Sequence, residues 1–446
     1  MLIFFVLVGV YLSIRTNFIQ LKLSLVFQKT LGSLFKGNNK ASTGALTPFQ
    51  AMTTALAGTV GTGNIAGVTG AIFLGGAGAV FWMWVSAFFG MCTKYAEIVL
   101  AVHYRRKNPD GTYCGGPMYY IEAGLGKRYK LLAVCFAALG CAASFGIGNM
   151  AQSSEIAGAA ESLFGAEKAV TGAVLAAVVA LIVLGGIKRI GAVTAYLVPA
   201  MSVFYLLAGL YVLIVRAQDI PAMFARIISE AFSLKAVGGG ILGCGMAKGI
   251  KLGFARGVFS NEAGLGSAPI AHAAADTHSP CEQAMWGIFE VFADTIVICS
   301  VTAFVVLLSG IADAPSGLEA YSSLGTAAGA AFNAVMHGAL GGKIIELSII
   351  FFALSSIICW CYYGESCLGY LTGGKKAAGT AYKAVFILFC YLGAVGSGAF
   401  IWDISDTLNG LMAIPNLTAL LLLGRKVGEL TREYCKKYRI TGSGKE

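Results

Sequence analysis

Apolar runs of about 15–28 residues recur along the whole chain, and they limit its fold more than any single motif. The runs 79–102, 130–163, 193–215, 284–308 and 344–371 are each long enough for an α-helix to cross a bilayer. Inside hydrocarbon the backbone finds no water, so each segment has to pair its own N–H and C=O groups, which a helix does. A β-barrel would show short segments of alternating polarity instead. Only 12% of the residues are charged, against about 25% in a soluble protein, too few to coat a water-facing surface. The sequence therefore predicts an all-α integral membrane protein. Its 59 glycines suit close approach between membrane helices. Its 12 cysteines form no CxxC pair and no zinc spacing with histidine, so they read as reduced, small apolar residues.

The formal charge of +10 would suit nucleic acid, but its distribution argues otherwise. Most of the basic residues fall in alternate connections: Arg15 to Lys40, Arg105 to Lys130, Lys188 and Arg189, Lys248 to Arg256, Lys375 to Lys383, and the tail from Arg425. Cytoplasmic loops attract Lys and Arg. Eleven spans with an external N-terminus and a cytoplasmic C-terminus fit this alternation, so the charge orients the protein in a cell membrane. The first run is short and starts at Met1 without a basic leader, which suggests that the numbering begins inside a helix.

The stretch from Pro48 to Leu74 begins and ends as a span, yet its middle, Ala57-Gly58-Thr59-Val60-Gly61-Thr62-Gly63-Asn64, is poor helix material. Irregular backbone at that depth is tolerated only beside protein or a polar cavity. A break there would offer unpaired N–H groups to an anion near Gly63 and carbonyls to a cation near Val60. An amino-acid carboxylate and a sodium ion suit those two ends. The competing account is a small-residue packing face. A second glycine-rich stretch, from Gly238 to Ala247, opens the later half. Its position predicts a five-plus-five inverted repeat with two interrupted helices: residues 1–46 as an extra N-terminal helix and basic loop, 47–217 and 218–424 as the repeats, and 425–446 as a basic tail. In the ninth span, Ser355 and Ser356 either bond back to the preceding turn or supply oxygens to a small hard cation.

The blocks PFQAMTTALAGTVGTGNIAGV, CGGPMYYIEAGLG, FGIGNMAQ, RGVFSNEAGLGSAPIA and FALSSIICWCYYGE resemble the alanine or glycine:cation symporter family over nearly the whole chain. More distantly, Val60 to Asn64 and the serine pair are similar to sodium-coupled carriers of the leucine-transporter fold. The resemblance implies sodium held by the carbonyls of Ala57, Val60 and Phe352 and the hydroxyls of Ser355 and Ser356. It implies a substrate carboxylate on the N–H groups near Thr62 and Gly63, with Gln152 as a polar contact. Trp360 and Met246 would be pocket walls, and ordinary packing explains those two equally well. A second sodium would use the Thr59 carbonyl and the Asn64 side chain.

The expected function is symport of alanine or glycine with sodium, with no cofactor. Another small neutral amino acid, or a proton as coupling ion, remains an alternative. Lys94 and Glu97 are spaced for a helical ion pair. Glu155, Glu290, Asp294, Glu346 and Glu365 also lie in spans, and Glu262 reads as fixing a loop or gate. A channel would need a continuous polar pore. An enzyme would need a catalytic constellation that the dispersed His103, His272, His278 and His337 do not offer. A primary pump would need a phosphate-binding loop, and none occurs.

Overall fold

A computed structural model describes residues 2–34, 45–108, 111–233, 244–314, 317–321, 323–336, 338–396 and 398–438. The protein is an all-helical, multi-pass membrane protein. Among the described residues, seven helices are long and apolar enough to cross a bilayer: Gly78–His103, Lys127–Phe164, Gly186–Val215, Pro280–Ser309, Leu340–Thr372, Lys376–Val395 and Thr407–Lys437. The pair Pro48–Thr59 and Thr62–Gly75, bent by 60°, makes an eighth. Three of the eleven expected crossings fall outside this set. Leu2–Arg15 and Lys168–Val183 are apolar but short, and the crossing expected near 237–250 lies partly outside the described residues.

Burial ranks these helices from the centre outwards. Gly78–His103 is 83% buried within its most apolar window, whereas Lys376–Val395 is only 28% buried. The first is a central strut and the second presents a broad apolar face. Ile3, Leu131, Leu181, Tyr196 and Ile214 are likewise exposed. In a soluble protein such a surface would aggregate; here it meets lipid. Close helix contacts rest on glycine. A Cβ at Gly364 would lie 2.0 Å from the Tyr382 hydroxyl, which no side chain tolerates.

Among the described residues, a small antiparallel hairpin, Arg106–Lys107 against Tyr113–Cys114, departs from the helical pattern on a basic connection. Beside it, Leu46 forms a parallel bridge to Ala275. Leu46 N–H donates to Ala274 O (3.1 Å) and Asp276 N–H donates to Leu46 O (2.7 Å). The Arg105 guanidinium donates to the carbonyls of Ala273, Ala275 and Thr277 and stacks over the Tyr113 ring. Elsewhere, Arg226 forks onto both oxygens of Asp313 at 2.6 and 2.7 Å and bonds Glu230 at 2.7 Å. That guanidinium holds the Asp313 carboxyl below its ordinary range. Glu230 in turn accepts from Ala77 N–H, which ties the start of Gly78–His103 to the same cluster.

Candidate functional site

The first half-helix starts under strong local control. Pro48 occupies its first turn, and Thr47 and Gln50 form a reciprocal capping box, each side chain 3.1 Å from the other's backbone N–H. The helix ends at Thr59, Val60 turns extended (φ −76°, ψ 93°) and Gly61 stays extended. A single tight turn, Thr62–Asn64, leads into Ala66–Gly75. Its bonds run from Asn64 N to Gly61 O and from Ile65 N to Thr62 O. The N–H groups of Thr62 and Gly63 therefore open the turn without a partner inside it. The Asn64 side chain accepts from Gly61 N–H at 2.9 Å and locks the break from within.

The carbonyl end faces the serine pair. Ser355 Oγ lies 3.3 Å from Ala57 O and 2.8 Å from Phe352 O, and Ser356 Oγ lies 3.1 Å from Phe352 O. Both hydroxyls thus bond back to the preceding turn, and one also reaches the broken helix. Val60 is fully buried beside them. A Cβ at Gly61 would stand 2.7 Å from Ser356 Oγ, so only glycine lets the two segments meet. Thr62 Oγ1 donates to Gln152 Oε1 at 3.2 Å. Gln152 follows a wide π-helical turn, Gly146–Met150, a form common at functional sites.

Asn64 leads to a group that no sequence motif marks. Its Nδ2 donates to Asp294 Oδ1 at 2.6 Å and to Ser260 Oγ at 2.9 Å. Ser260 and Thr295 hydroxyls both donate to Asp294 Oδ2 at 2.8 Å. Asp294 sits in another π-helical turn, Phe292–Cys299, and is fully buried. Thr59, by contrast, returns its hydroxyl to Leu56 O.

The later half carries a second interruption. Cys244–Asn261 ends at Asn261, and a short helix, Ala268–Ala273, resumes with Pro269 in its first turn. Between them Glu262, Gly264 and Gly266 all take positive φ (54°, 83° and 86°). A small cavity of about 20 Å³ lies between the two breaks, lined by Gly58, Thr59, Gly61 and Gly63, by Phe259 and Glu262, and by Ile147, Gln152, Ser356, Trp360 and Asn409. It has room for roughly one water. Trp360 donates its indole N–H to Glu262 Oε1 at 3.0 Å and packs edge-on against Tyr363. Gly148 is pressed onto this indole, since a Cβ there would fall 2.3 Å from Trp360 Cβ. Gly148→Ala is expected to destabilise the protein by about 1–3 kcal/mol, the usual cost of overpacking. Thermal unfolding in detergent would read this as a lowered Tm.

The comparisons with known proteins fit this architecture. The pattern of the sodium:alanine symporter family matches residues 1–445. The chain belongs to that family. It is 46% identical over 439 residues to the sodium/alanine symporter AgcS of Methanococcus maripaludis, covering 97% of this chain and 94% of that one. It is 35% identical to the probable sodium/glutamine symporter GlnT of Bacillus subtilis (96% and 86% covered). The putative sodium/proton-dependent alanine carrier YrbD of the same organism is also 35% identical (96% and 88%). Among solved structures, an Eremococcus coleocola manganese transporter has a similar fold at TM-score 0.56 and 13% identity, covering 89% of this chain and 87% of that one.

Two expectations for this symporter-family chain need correction. Met246 is half-buried and lies about 20 Å along its helix from Phe259; it does not line the cavity. The glycine run from Gly238, expected to interrupt a helix, lies outside the described residues up to 243; an interruption that the sequence reading did not place is at 262–267. Lys94 bonds Glu290 at 2.8 Å, not Glu97, which instead accepts from Asn416. Glu290 also pairs with His272 at 3.0 Å. Gln283 donates to His272 Nδ1 and to Pro48 O, so this buried network reaches the start of the first half-helix. Glu262, read as a loop-fixing residue, lines the cavity itself.

Proposed function

We propose that the chain is a secondary active symporter that couples uptake of alanine or glycine to the sodium gradient by alternating access. The observation that carries this reading is the helix broken at Val60–Gly61, with its carbonyl end against the serine pair and its N–H end against a cavity. In this reading sodium replaces the hydroxyl back-bonds and takes the oxygens of Ala57, Val60, Phe352, Ser355 and Ser356. The substrate carboxylate takes the N–H groups of Thr62 and Gly63, with Gln152 beside it and Trp360 limiting side-chain size. Membership of the sodium:alanine symporter family supports the ion and the substrate class.

A second cation is placed by this proposal at Asn64, with the Thr59 carbonyl, Ser260, Thr295 and Asp294 around it. Charge supports it. Four carboxyl groups, on Glu97, Glu262, Glu290 and Asp294, are fully buried among the described residues, against one lysine, Lys94. An ionised group so placed requires compensation. A proton in the sodium's place is the second reading, favoured by the same excess of buried carboxyls. The proposed orientation puts the N-terminus outside and the tail inside a prokaryotic cell membrane, with the two five-helix repeats at 47–217 and 218–424.

Labelled alanine uptake into proteoliposomes tests both readings. Uptake is expected to follow an inward sodium gradient, and each ligand should raise the affinity for the other. Uptake driven by a pH gradient without sodium would select the proton. Uptake indifferent to both gradients would refute symport.

A further inference from the structure

The small cavity between the two helix breaks has opposite chemistry at its two ends. Gly63, at the N–H end of the first break, lines it and offers a backbone donor. Elsewhere its lining holds one ionisable side chain, Glu262, and an unsatisfied acceptor, the Asn409 amide. We infer that Glu262 and Asn409 form the seat for the substrate's ammonium group, so that the cavity receives a zwitterion. This inference rests on the amino-acid symport proposed above.

Several independent features converge on it. Glu262 is 4% exposed and Asn409 is 5% exposed, so both groups are shielded from bulk solvent. Each Glu262 oxygen has one donor only: Trp360 Nε1–H on Oε1, and the Ser267 hydroxyl on Oε2. A carboxylate has about four acceptor positions, so two remain for an incoming N–H. Glu262 takes part in no ion pair among the described residues, whereas Glu290 is paired with Lys94. The Asn409 side-chain oxygen is buried and has no hydrogen-bond partner. A buried acceptor left unsatisfied is costly and rare in native proteins.

The backbone points the same way. Glu262 holds a left-handed conformation, φ 54°, which a non-glycine residue adopts only at some cost and which gathers at functional sites. This conformation ends Cys244–Asn261 and carries the carboxylate to the cavity wall, where Trp360 and Ser267 anchor it. The stoichiometry also closes. A primary ammonium has three donors. Glu262, Asn409 and a carbonyl at the free end of the first half-helix, where Gly58 and Thr59 line the cavity, supply three acceptors. The charges are complementary on binding: a zwitterion brings its ammonium to the Glu262 carboxylate and its own carboxylate to the backbone donors.

Titration calorimetry on purified protein at saturating sodium tests the assignment, with alanine and propionate as probes; propionate keeps the carboxylate and lacks the ammonium. Glu262→Gln is expected to weaken alanine binding by about a hundredfold or more, the scale for removing one partner of a buried charge pair. The propionate affinity should stay the same within error. Asn409→Leu should weaken alanine by roughly tenfold and also spare propionate. Stabilisation of the unliganded protein by sodium alone should survive both changes. Equal losses for alanine and propionate would reduce Glu262 to a structural support and overturn the assignment. Should Glu262→Gln fail to fold, Asn409→Leu and the wild-type ratio decide: a wild type that binds propionate as tightly as alanine has no ammonium seat. A wild type that binds alanine without sodium would overturn the symport reading and leave the ammonium seat standing.

Discussion

With Ser355 and Ser356 both changed to alanine, the sodium concentration that half-saturates alanine uptake is expected to rise by tens-fold or more. Each hydroxyl is expected to contribute an ion contact comparable to a charged hydrogen bond, about 1.5–3 kcal/mol, and each 1.4 kcal/mol is about tenfold in affinity. The fold should survive, because these hydroxyls otherwise bond to carbonyls of their own turn at 2.8 and 3.1 Å, which the helix already satisfies. That separation makes the experiment informative. If unfolding temperature and alanine affinity at high sodium hold while the sodium requirement climbs, the pair acts on the ion. An unchanged sodium requirement would return both serines to ordinary back-bonding and remove the proposed ion from this place.

Asp294→Ala is expected to abolish concentrative uptake. It would strip the acceptor from three buried donors at once, the Asn64 amide and the Ser260 and Thr295 hydroxyls. Each hydrogen bond lost to that carboxylate costs about 1.5–3 kcal/mol. Because Asn64 also caps Gly61 N–H, the disturbance reaches the break directly. Asp294→Asn separates charge from shape. It is expected to keep a folded protein while the dependence of uptake on sodium falls from cooperative to simple saturation. Cooperative sodium dependence that persists in Asp294→Asn would exclude a second cation beside Asn64.

The first break was readable because glycine, threonine and asparagine crowd together where lipid-facing helices are apolar. Its capping box and the tight turn are local, and local chemistry is what a linear chain displays. The break at 262–267 was missed for a physical reason. Glycine serves both close packing and irregular backbone, so the dense run from Gly238 outweighed the sparser Glu262-Ala263-Gly264-Leu265-Gly266 before Pro269. Asp294 stood out only as one of several acids in spans, and Asn409 gave no signal at all. Asp294 meets Asn64 across 230 positions, and Asn409 matters only through the cavity it lines. Lys94 shows the opposite failure: helical spacing nominated Glu97, yet a partner on another helix stands closer in line and holds the charge.

The strand-like pairing of Leu46 with the segment just beyond Ala273, clamped by Arg105, has a mechanical consequence. Each of the two interrupted spans contributes one short rod, 48–59 and 268–273, and these rods are stitched together at their outer tips while their inner tips end in uncoiled joints. They form a single hinged leaf with two pivots. Neither rod can swing alone, so whatever loosens one joint is transmitted to the other through the seam.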